Sequence, residues 1–407
     1  MMCVCRNEEG AGKEGGRERE RERKRGEKKA GRRGRMSAFD EEARKLNDSV
    51  READELLQRS VGAKAEAIHV PVIDISSFVR GEASHVKMED LDVERRVCVD
   101  KMRAACKELG VFALHGHGIP ELTISDAFHT ASRFFAFASV SEKDSVASSS
   151  DTHGYVGSAS MARVYGRGER LDKRECFCVG PEGFEYKRNV FPTTSGDLWS
   201  AADLHRHTIQ FHTAAGDLAN VLCHVISLAL SVEKKDVAVG GDWMSRAIGK
   251  NESLCCFNYY SSEGSNDVDT GEEFPAHTDW AAFTILTIRR GSDGLEVIVD
   301  GKWRSLTTNN TAHLEEEFII LVNVADFLSR WSNGAFSSPI HRVKRLHKQR
   351  TDEPRLSIAY FVGGVIYPLE DVACAPVLAQ GEIPRYDAIS IRDYLQRNYD
   401  NTLGVRA

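Results

Sequence analysis

The sequence has no cysteine pair that stands at zinc-finger spacing from a second pair or from a histidine pair. Its ten cysteines (3, 5, 98, 106, 176, 178, 223, 255, 256 and 374) are scattered, and reduced thiols in a cytoplasmic protein are expected. Proline is scarce, with 10 in 407 residues, and glycine shows no repeat, which excludes collagen-like and low-complexity chains. Long apolar runs are missing too. The longest, Leu218 to Val232, is interrupted by Asn220, His224 and Ser227 and falls short of membrane thickness, so no membrane partner is expected. The first residues, Met1 to Arg6, lead into charge rather than an apolar stretch and do not read as a secretory leader.

Charge is present, and it is uneven. Residues 1–35 hold 13 Lys/Arg against 7 Glu, a local charge of +6, which leaves −13 for the rest of a chain whose total is −7. An acidic body argues against nucleic acid as its partner. The basic tail, residues 1–36, has almost no large apolar side chain to bury and is expected to be disordered. Its Arg-Glu repeat also leaves Met36 as an alternative start. Residues 37–66 alternate charge with Leu46, Val50, Leu56 and Leu57, a helical leader.

From residue 67 the pattern becomes that of a folded domain. His69 to Ile75 is β-branched and reads as a strand, with Pro71 at its start or an edge. Val99, Met102, Cys106 and Leu109 form a helical stripe that Gly110 can end, and Val111 to Leu114 follows as a strand. Leu218, Val221, Leu222, Val225, Ile226 and Ala229 mark a second long helix that braces a sheet. After residue 250 the texture changes to short strands at 283–288, 295–299, 303–306, 318–324 and 356–362, with Asp300-Gly301 as a type I′ hairpin turn. Short strands separated by turn residues indicate a jelly-roll or barrel. The expected division is a helical N-terminal region at 67–240, a β core at 250–366 and a C-terminal extension at 367–407.

Three polar pairs with a spacing of two fall inside this β-rich sequence. His277 and Asp279 would point to one side of an extended segment and share a cation, with His341 as a third donor some sixty residues on. Two imidazoles and one carboxylate on one face of a metal leave the other face open, as non-haem Fe(II) oxygenases require. Alone, His-x-Asp is a weak signal that fits a surface or core-edge pair better than a metal site. Arg355 and Ser357 share a strand face and could grip a carboxylate with a guanidinium fork and a hydroxyl. Asn258 and Tyr260 form the third pair, an amide and a phenol aimed at one pocket.

These residues resemble the isopenicillin N synthase-like, plant-type family of 2-oxoglutarate- and Fe(II)-dependent dioxygenases. The landmarks run in order over residues 68–365: Val70-Pro-Val-Ile-Asp74, Leu109 to Gly118, Gly154-Tyr155, Glu175-x-Phe177, Asn258-Tyr-Tyr260, His277-Thr-Asp279, Gly294-Leu295, Gly301-Lys-Trp303, Val322-Asn323, Ser332-Asn-Gly334, His341-Arg-Val343 and Arg355-Leu-Ser357. The resemblance implies an α+β fold, a double-stranded β-helix (jelly-roll) core braced by long helices. It implies Fe(II) on His277, Asp279 and His341. It further implies 2-oxoglutarate on Arg355 and Ser357 with Tyr260 and Asn258 orienting it, O2 as oxidant and ascorbate as a candidate reductant. The implied reaction hydroxylates or desaturates a small organic substrate with release of succinate and CO2.

Three departures, His115 or His117 in place of the family's asparagine, Ala325 for glycine and Ser261 for proline, concern loop shape and substrate fit and remove no ligand. Trp280 and Phe283 are candidates for the substrate wall or the core, and Tyr155, Arg163 and Phe361 are further wall candidates. His205, His207 and His212 share a helix without an acid to complete a site, and Cys255-Cys256 and Cys176-x-Cys178 are expected at half-buried strand positions. Two other readings stand beside the leading one: an Fe(II) oxidase of the same fold that does not use 2-oxoglutarate, and an inactive ligand-binding scaffold.

Overall fold

Pro71 decides how the ordered chain begins. The computed structural model describes residues 65–80, 88–149, 152–157, 174–183, 187–234, 243–248, 253–261, 272–292, 294–307, 316–344, 354–363 and 375–402. The basic tail, nearly all of the helical leader, and Arg163 lie outside the described residues. Within the expected strand at 69–75, Pro71 has no N–H to give to a ladder, and the segment divides into β1 (Glu66–His69) and β2 (Val72–Asp74), which join different sheets.

There follow α1 (Val93–Glu108), β3 (Val111–His115), α2 (Glu121–Phe137), β4 (Thr152–His153), β5 (Tyr155–Val156), β6 (Arg174–Val179), β7 (Arg188–Asn189) and α3 (Ala201–Glu233). Asp92 caps α1 by accepting the Arg95 N–H at 2.8 Å. Gly110 ends it with φ +70°, and a Cβ there would sit 2.1 Å from the Ser337 carbonyl oxygen, so no other residue fits.

The β-rich half consists of β8 (Leu254–Tyr260), β9 (Glu272–His277), β10 (Phe283–Arg289), β11 (Leu295–Val299), β12 (Lys302–Thr307), β13 (Phe318–Val324), α4 (Asp326–Trp331), β14 (His341–Lys344), β15 (Arg355–Val362) and α5 (Ile391–Thr402). The turn between β11 and β12 has Asp300 at φ 51° and Gly301 at φ 69°, the pair of positive angles that a type I′ hairpin needs.

Two sheets result. The larger runs β2-β3-β13-β10-β15-β8-β6-β5, and the smaller β1-β12-β11-β14-β9. Val111, Ile288 and Leu321 from the first pack with Phe274, Val297 and Val343 from the second in one buried cluster. Each such side chain contributes roughly 1.5–3 kcal/mol on leaving water, and together they hold the sheets face to face as a double-stranded β-helix.

The helices brace the other face of the large sheet. Ring contacts run from Phe128 and Phe134 of α2 to Phe318 and Phe177, and from Phe211 of α3 to Phe257, at 4.7–6.2 Å. α3 is long and apolar enough to cross a membrane by composition, and its apolar residues are mostly buried inside this fold.

Beyond the core, the C-terminal extension folds back on α4: Val377 N–H donates to the Trp331 carbonyl and Arg385 N–H to Asn333 Oδ1, both at 2.7 Å. One expectation is corrected here. Cys178 and Cys256 are joined in a disulfide, because they face each other on neighbouring antiparallel strands with Cα atoms 4.3 Å apart. That proximity links positions 78 residues apart and has no local signature.

Two histidines outside the β core are held neutral. Burial first, and then His115, pushes His117 down to about 4, and its Nδ1 accepts the Ile119 N–H at 3.1 Å, which only the neutral ring can do. Burial, Lys187 and His212 push His153 down to about 3. Near pH 6.5 the unfolded chain takes up protons that the folded chain refuses, so stability falls as pH drops below that value. The Tm measured between pH 7 and 5 is expected to decline, with a shallower decline in His153→Gln. A flat profile in that window contradicts this account.

Candidate functional site

His277 closes β9, His341 opens β14, and the two stand opposite each other in the ladder with ring centroids 4.2 Å apart. Each follows a proline by two residues. His277 Nδ1–H donates to the Pro275 carbonyl at 2.8 Å and His341 Nδ1–H to the Pro339 carbonyl at 3.1 Å. A carbonyl only accepts, so the proton of each neutral ring lies on Nδ1 and the Nε2 lone pair is free.

Asp279 lies just past the end of β9 and not on it, yet it still converges with the histidines. Its Oδ1 is 3.6 Å from His277 Nε2 and 3.8 Å from His341 Nε2, too long for hydrogen bonds. The three donor atoms lie within 4.8 Å of one another.

The other oxygen of Asp279 is committed elsewhere. Thr284 Oγ donates to Oδ2 at 2.6 Å and Asn323 Nδ2 at 2.7 Å. Burial alone would raise this carboxyl. His341 and His277, followed by these two hydrogen bonds, outweigh it and hold Asp279 ionised, below the usual carboxylate range. Burial, and next the neighbouring His341, pushes His277 down to about 3. Two imidazoles and one anionic oxygen thus face a common point, a donor set that suits a divalent first-row metal ion with open positions opposite.

Asp326 ties the loops that carry these donors. Its Oδ2 accepts from Thr278 Oγ at 2.9 Å, its Oδ1 from Ser338 Oγ at 2.6 Å, and its N–H donates to the Asp279 carbonyl at 2.9 Å. Thr278 sits between two of the donors, and Ser338 precedes His341 by three residues. One carboxylate therefore fixes both segments. Thr284, Asp326 and Ser338 were not picked out from sequence, because an isolated Thr, Asp or Ser has no periodic signal; Asn323 appeared only as a landmark.

The pocket lies between the sheets and is lined by residues of both. Its far end is basic. Arg355 stands opposite Tyr260, and Ser357 opposite Asn258, in the β15–β8 ladder. The Arg355 guanidinium lies 5.0 Å from the Tyr260 ring centre, and its buried Nε and Nη1 meet no hydrogen-bond acceptor among the described residues. A buried guanidinium with donors unspent fits a carboxylate ligand.

Arg174, unremarked in the sequence, is buried in the same wall, stacked 3.9 Å over the Phe274 ring, and donates to Asn258 Oδ1 at 3.1 Å. Asn258 Nδ2 in turn donates to the Cys256 carbonyl at 3.3 Å. Asn258 thus faces the pocket with part of its amide already engaged.

Of the wall candidates, Phe361 lines the pocket. Phe283 is fully buried next to inward-facing Thr284, so alternation turns it to the opposite side of β10. Tyr155 bonds to Glu175 and meets Phe134 edge-on, on the helix side of the sheet. Trp280 is half-buried in the loop after β9 and is not in the lining. Among the three helix histidines, His205 pairs with Glu182, His207 with Thr130 and His212 with the Ser253 carbonyl; they do not converge.

Removing a partner of Asp279 Oδ2 frees that carboxylate to rotate. Asn323→Ala is expected to weaken divalent-metal binding about tenfold, with the fold intact. Calorimetric titration with Co(II) beside far-ultraviolet circular dichroism checks this, and unchanged affinity refutes it.

Residues 70–198 match the family described as non-haem dioxygenase in morphine synthesis N-terminal, and residues 251–364 match the 2OG-Fe(II) oxygenase superfamily. The chain is 28% identical over 316 residues to the 2-oxoglutarate-dependent dioxygenase citB of Monascus ruber, covering 73% of this chain and 85% of that protein. It is 26% identical over 320 residues to azadirone synthase LFS of Melia azedarach, covering 75% and 90%. Among solved structures, a full-length Neurospora crassa protein in complex with alpha-KG and 5-formyluracil superposes with a TM-score of 0.65 at 20% identity, over 84% of this chain and 100% of that one. The chain belongs to the isopenicillin N synthase-like family of 2-oxoglutarate- and Fe(II)-dependent dioxygenases, oxidoreductases that use Fe(II), 2-oxoglutarate and O2 on a small-molecule substrate.

Proposed function

We propose that His277 Nε2, Asp279 Oδ1 and His341 Nε2 hold the iron, and that Arg355 and Ser357, flanked by Tyr260 and Asn258, take the distal carboxylate of 2-oxoglutarate. The observation that carries this reading is the pairing of two imidazoles, each with its Nδ1 proton spent on a proline carbonyl, around the one uncommitted oxygen of Asp279. When bound, iron and 2-oxoglutarate activate O2, with release of succinate and CO2 and oxidation of a substrate C–H bond by hydroxylation or desaturation.

The protein's own contribution is positional. Asp279 brings one negative charge to the cation while Thr284 and Asn323 keep its second oxygen out of the way. Arg355 neutralises the far end of the co-substrate. Leu286, Leu295, Val297 and Val343 line the space between the two polar ends and keep it dry, which strengthens the charge interactions at both. Phe361 provides apolar wall for the small organic substrate.

Anaerobic titration with Fe(II) and 2-oxoglutarate is expected to give the metal-to-ligand charge-transfer absorption of the chelate. His277→Ala should abolish it, and Arg355→Ala should require about 100-fold more 2-oxoglutarate. Iron binding without the absorption would favour a 2-oxoglutarate-independent oxidase. Failure to bind iron would leave a ligand-binding scaffold.

A further inference from the structure

Three sulfurs meet on the sheet face that lines the pocket. β6 and β8 are antiparallel neighbours, with Arg174 opposite Tyr260, Cys176 opposite Asn258 and Cys178 opposite Cys256. Alternation puts Arg174, Cys176 and Cys178 on one face of β6, and Cys256, Asn258 and Tyr260 on the same face of β8. Arg174, Asn258 and Tyr260 line the pocket, while Phe177 and Phe257, the alternate residues, contact Phe134 and Phe211 of the bracing helices. The cysteines therefore continue the inner face, with Cys176 in the row of Asn258 and the Cys178–Cys256 pair in the row directly beyond it. Cys178 and Cys256 are disulfide-bonded, Cys176 Sγ lies 3.4 Å from Cys178 Sγ, and all three sulfurs fall within 4.8 Å of one another.

We propose that Cys176, Cys178 and Cys256 form a reversible redox site, closed by a hydroperoxide and opened by a small dithiol, that locks β6 to β8 and sets how tightly the pocket holds 2-oxoglutarate. On closing, the Cys178 thiolate attacks a peroxide oxygen and the O–O bond breaks, which gives a sulfenic acid and an alcohol or water. The Cys256 thiol then attacks that sulfur. The S–S bond forms, the S–O bond breaks, and hydroxide leaves as water with the thiol's proton. The two thiols lose two electrons and the peroxide gains them.

On opening, a dithiol returns two electrons and two protons through a mixed disulfide and leaves as its own disulfide. Cys176 stands where its thiolate can attack Cys178 Sγ and release Cys256 as thiolate, an exchange without net oxidation that offers the reductant a second bond to attack. Cys176 and Cys256 are buried, so the reagents must be small.

The link to co-substrate binding runs through Asn258. The Cys256 carbonyl accepts one of its amide hydrogens, and Arg174, on the crosslinked strand β6, donates to its oxygen. Among the described residues, only two-residue β5 pairs with the outer edge of β6. The crosslink closes a separation of 78 residues, and opening it releases that constraint.

This inference rests on the assignment of the Asn258–Tyr260 region to 2-oxoglutarate, and the experiment separates the two. Full-length protein is treated with hydrogen peroxide or with dithiothreitol, desalted and alkylated, and its peptides are mapped by mass spectrometry without reduction. The KM for 2-oxoglutarate is measured in parallel by succinate release. The expected result is a Cys178–Cys256 peptide pair after peroxide and none after dithiothreitol, with KM about fivefold higher in the reduced protein. Cys178→Ser should show the reduced value under both treatments, and Cys176→Ser should keep the crosslink but lose it more slowly to dithiothreitol.

Alkylation of both Cys178 and Cys256 after peroxide overturns the proposal. So does an equal KM in the two mapped forms, or a stoichiometric metal other than iron that is lost in Cys176→Ser. The wild-type comparison requires no variant to fold. A KM that is also insensitive to Arg355→Ala marks failure of the co-substrate assignment and not of the redox site.

Discussion

Asp279 has two carboxylate oxygens, and the fold gives them different work. Burying an ionised carboxylate is costly unless hydrogen bonds and opposite charge replace the lost water. Thr284 on β10 and Asn323 on β13 supply the hydrogen bonds to Oδ2, and only because they do is Oδ1 presented to His277 and His341. The histidines come from β9 and β14 of the small sheet, and the partners of Asp279 come from the large one. The donor set therefore exists only while the two sheets stay packed, and the apolar cluster around Val297, Leu321 and Val343 is as much a condition of the chemistry as the ligands themselves.

The opposite end of the pocket follows a contrary logic. Among the described residues, Arg355 has two buried donor nitrogens that meet no acceptor, which costs stability. A carboxylate that meets those donors restores what burial removed, so the strain is relieved by binding and becomes selectivity for an acid. Arg174, Asn258 and the Cys178–Cys256 crosslink form the frame behind that site. The frame lies near the margin of the large sheet, while His277, Asp279 and His341 sit where the two sheets meet.

Much of this was legible because strand periodicity is local. Strands at 283–288, 295–299, 303–306, 318–324 and 356–362 reappear within a residue or so of those bounds, and the Asp300-Gly301 turn has its positive angles. The polar pairs at spacing two were legible for the same reason, since alternation alone sends Arg355 and Ser357 to one side. Pro71 was ambiguous, because a missing N–H can mark an edge or a break, and its neighbours decided for a break. Tyr155 and Phe283 stood out for their size, yet size says nothing about which face of a strand a ring occupies.

By itself the sequence determined five strands of the β-rich half, the stripes of the helices and the residue types of the donor set, all of which follow from spacing along the chain. The tertiary structure alone decided which oxygen of Asp279 is free, that Asp326 joins Thr278 to Ser338, that Arg174 enters the pocket wall, and that Cys178 meets Cys256. Each of these depends on two segments distant in sequence coming within a few ångströms. Such contacts are set by strand order and register across the sheets, which no local pattern encodes.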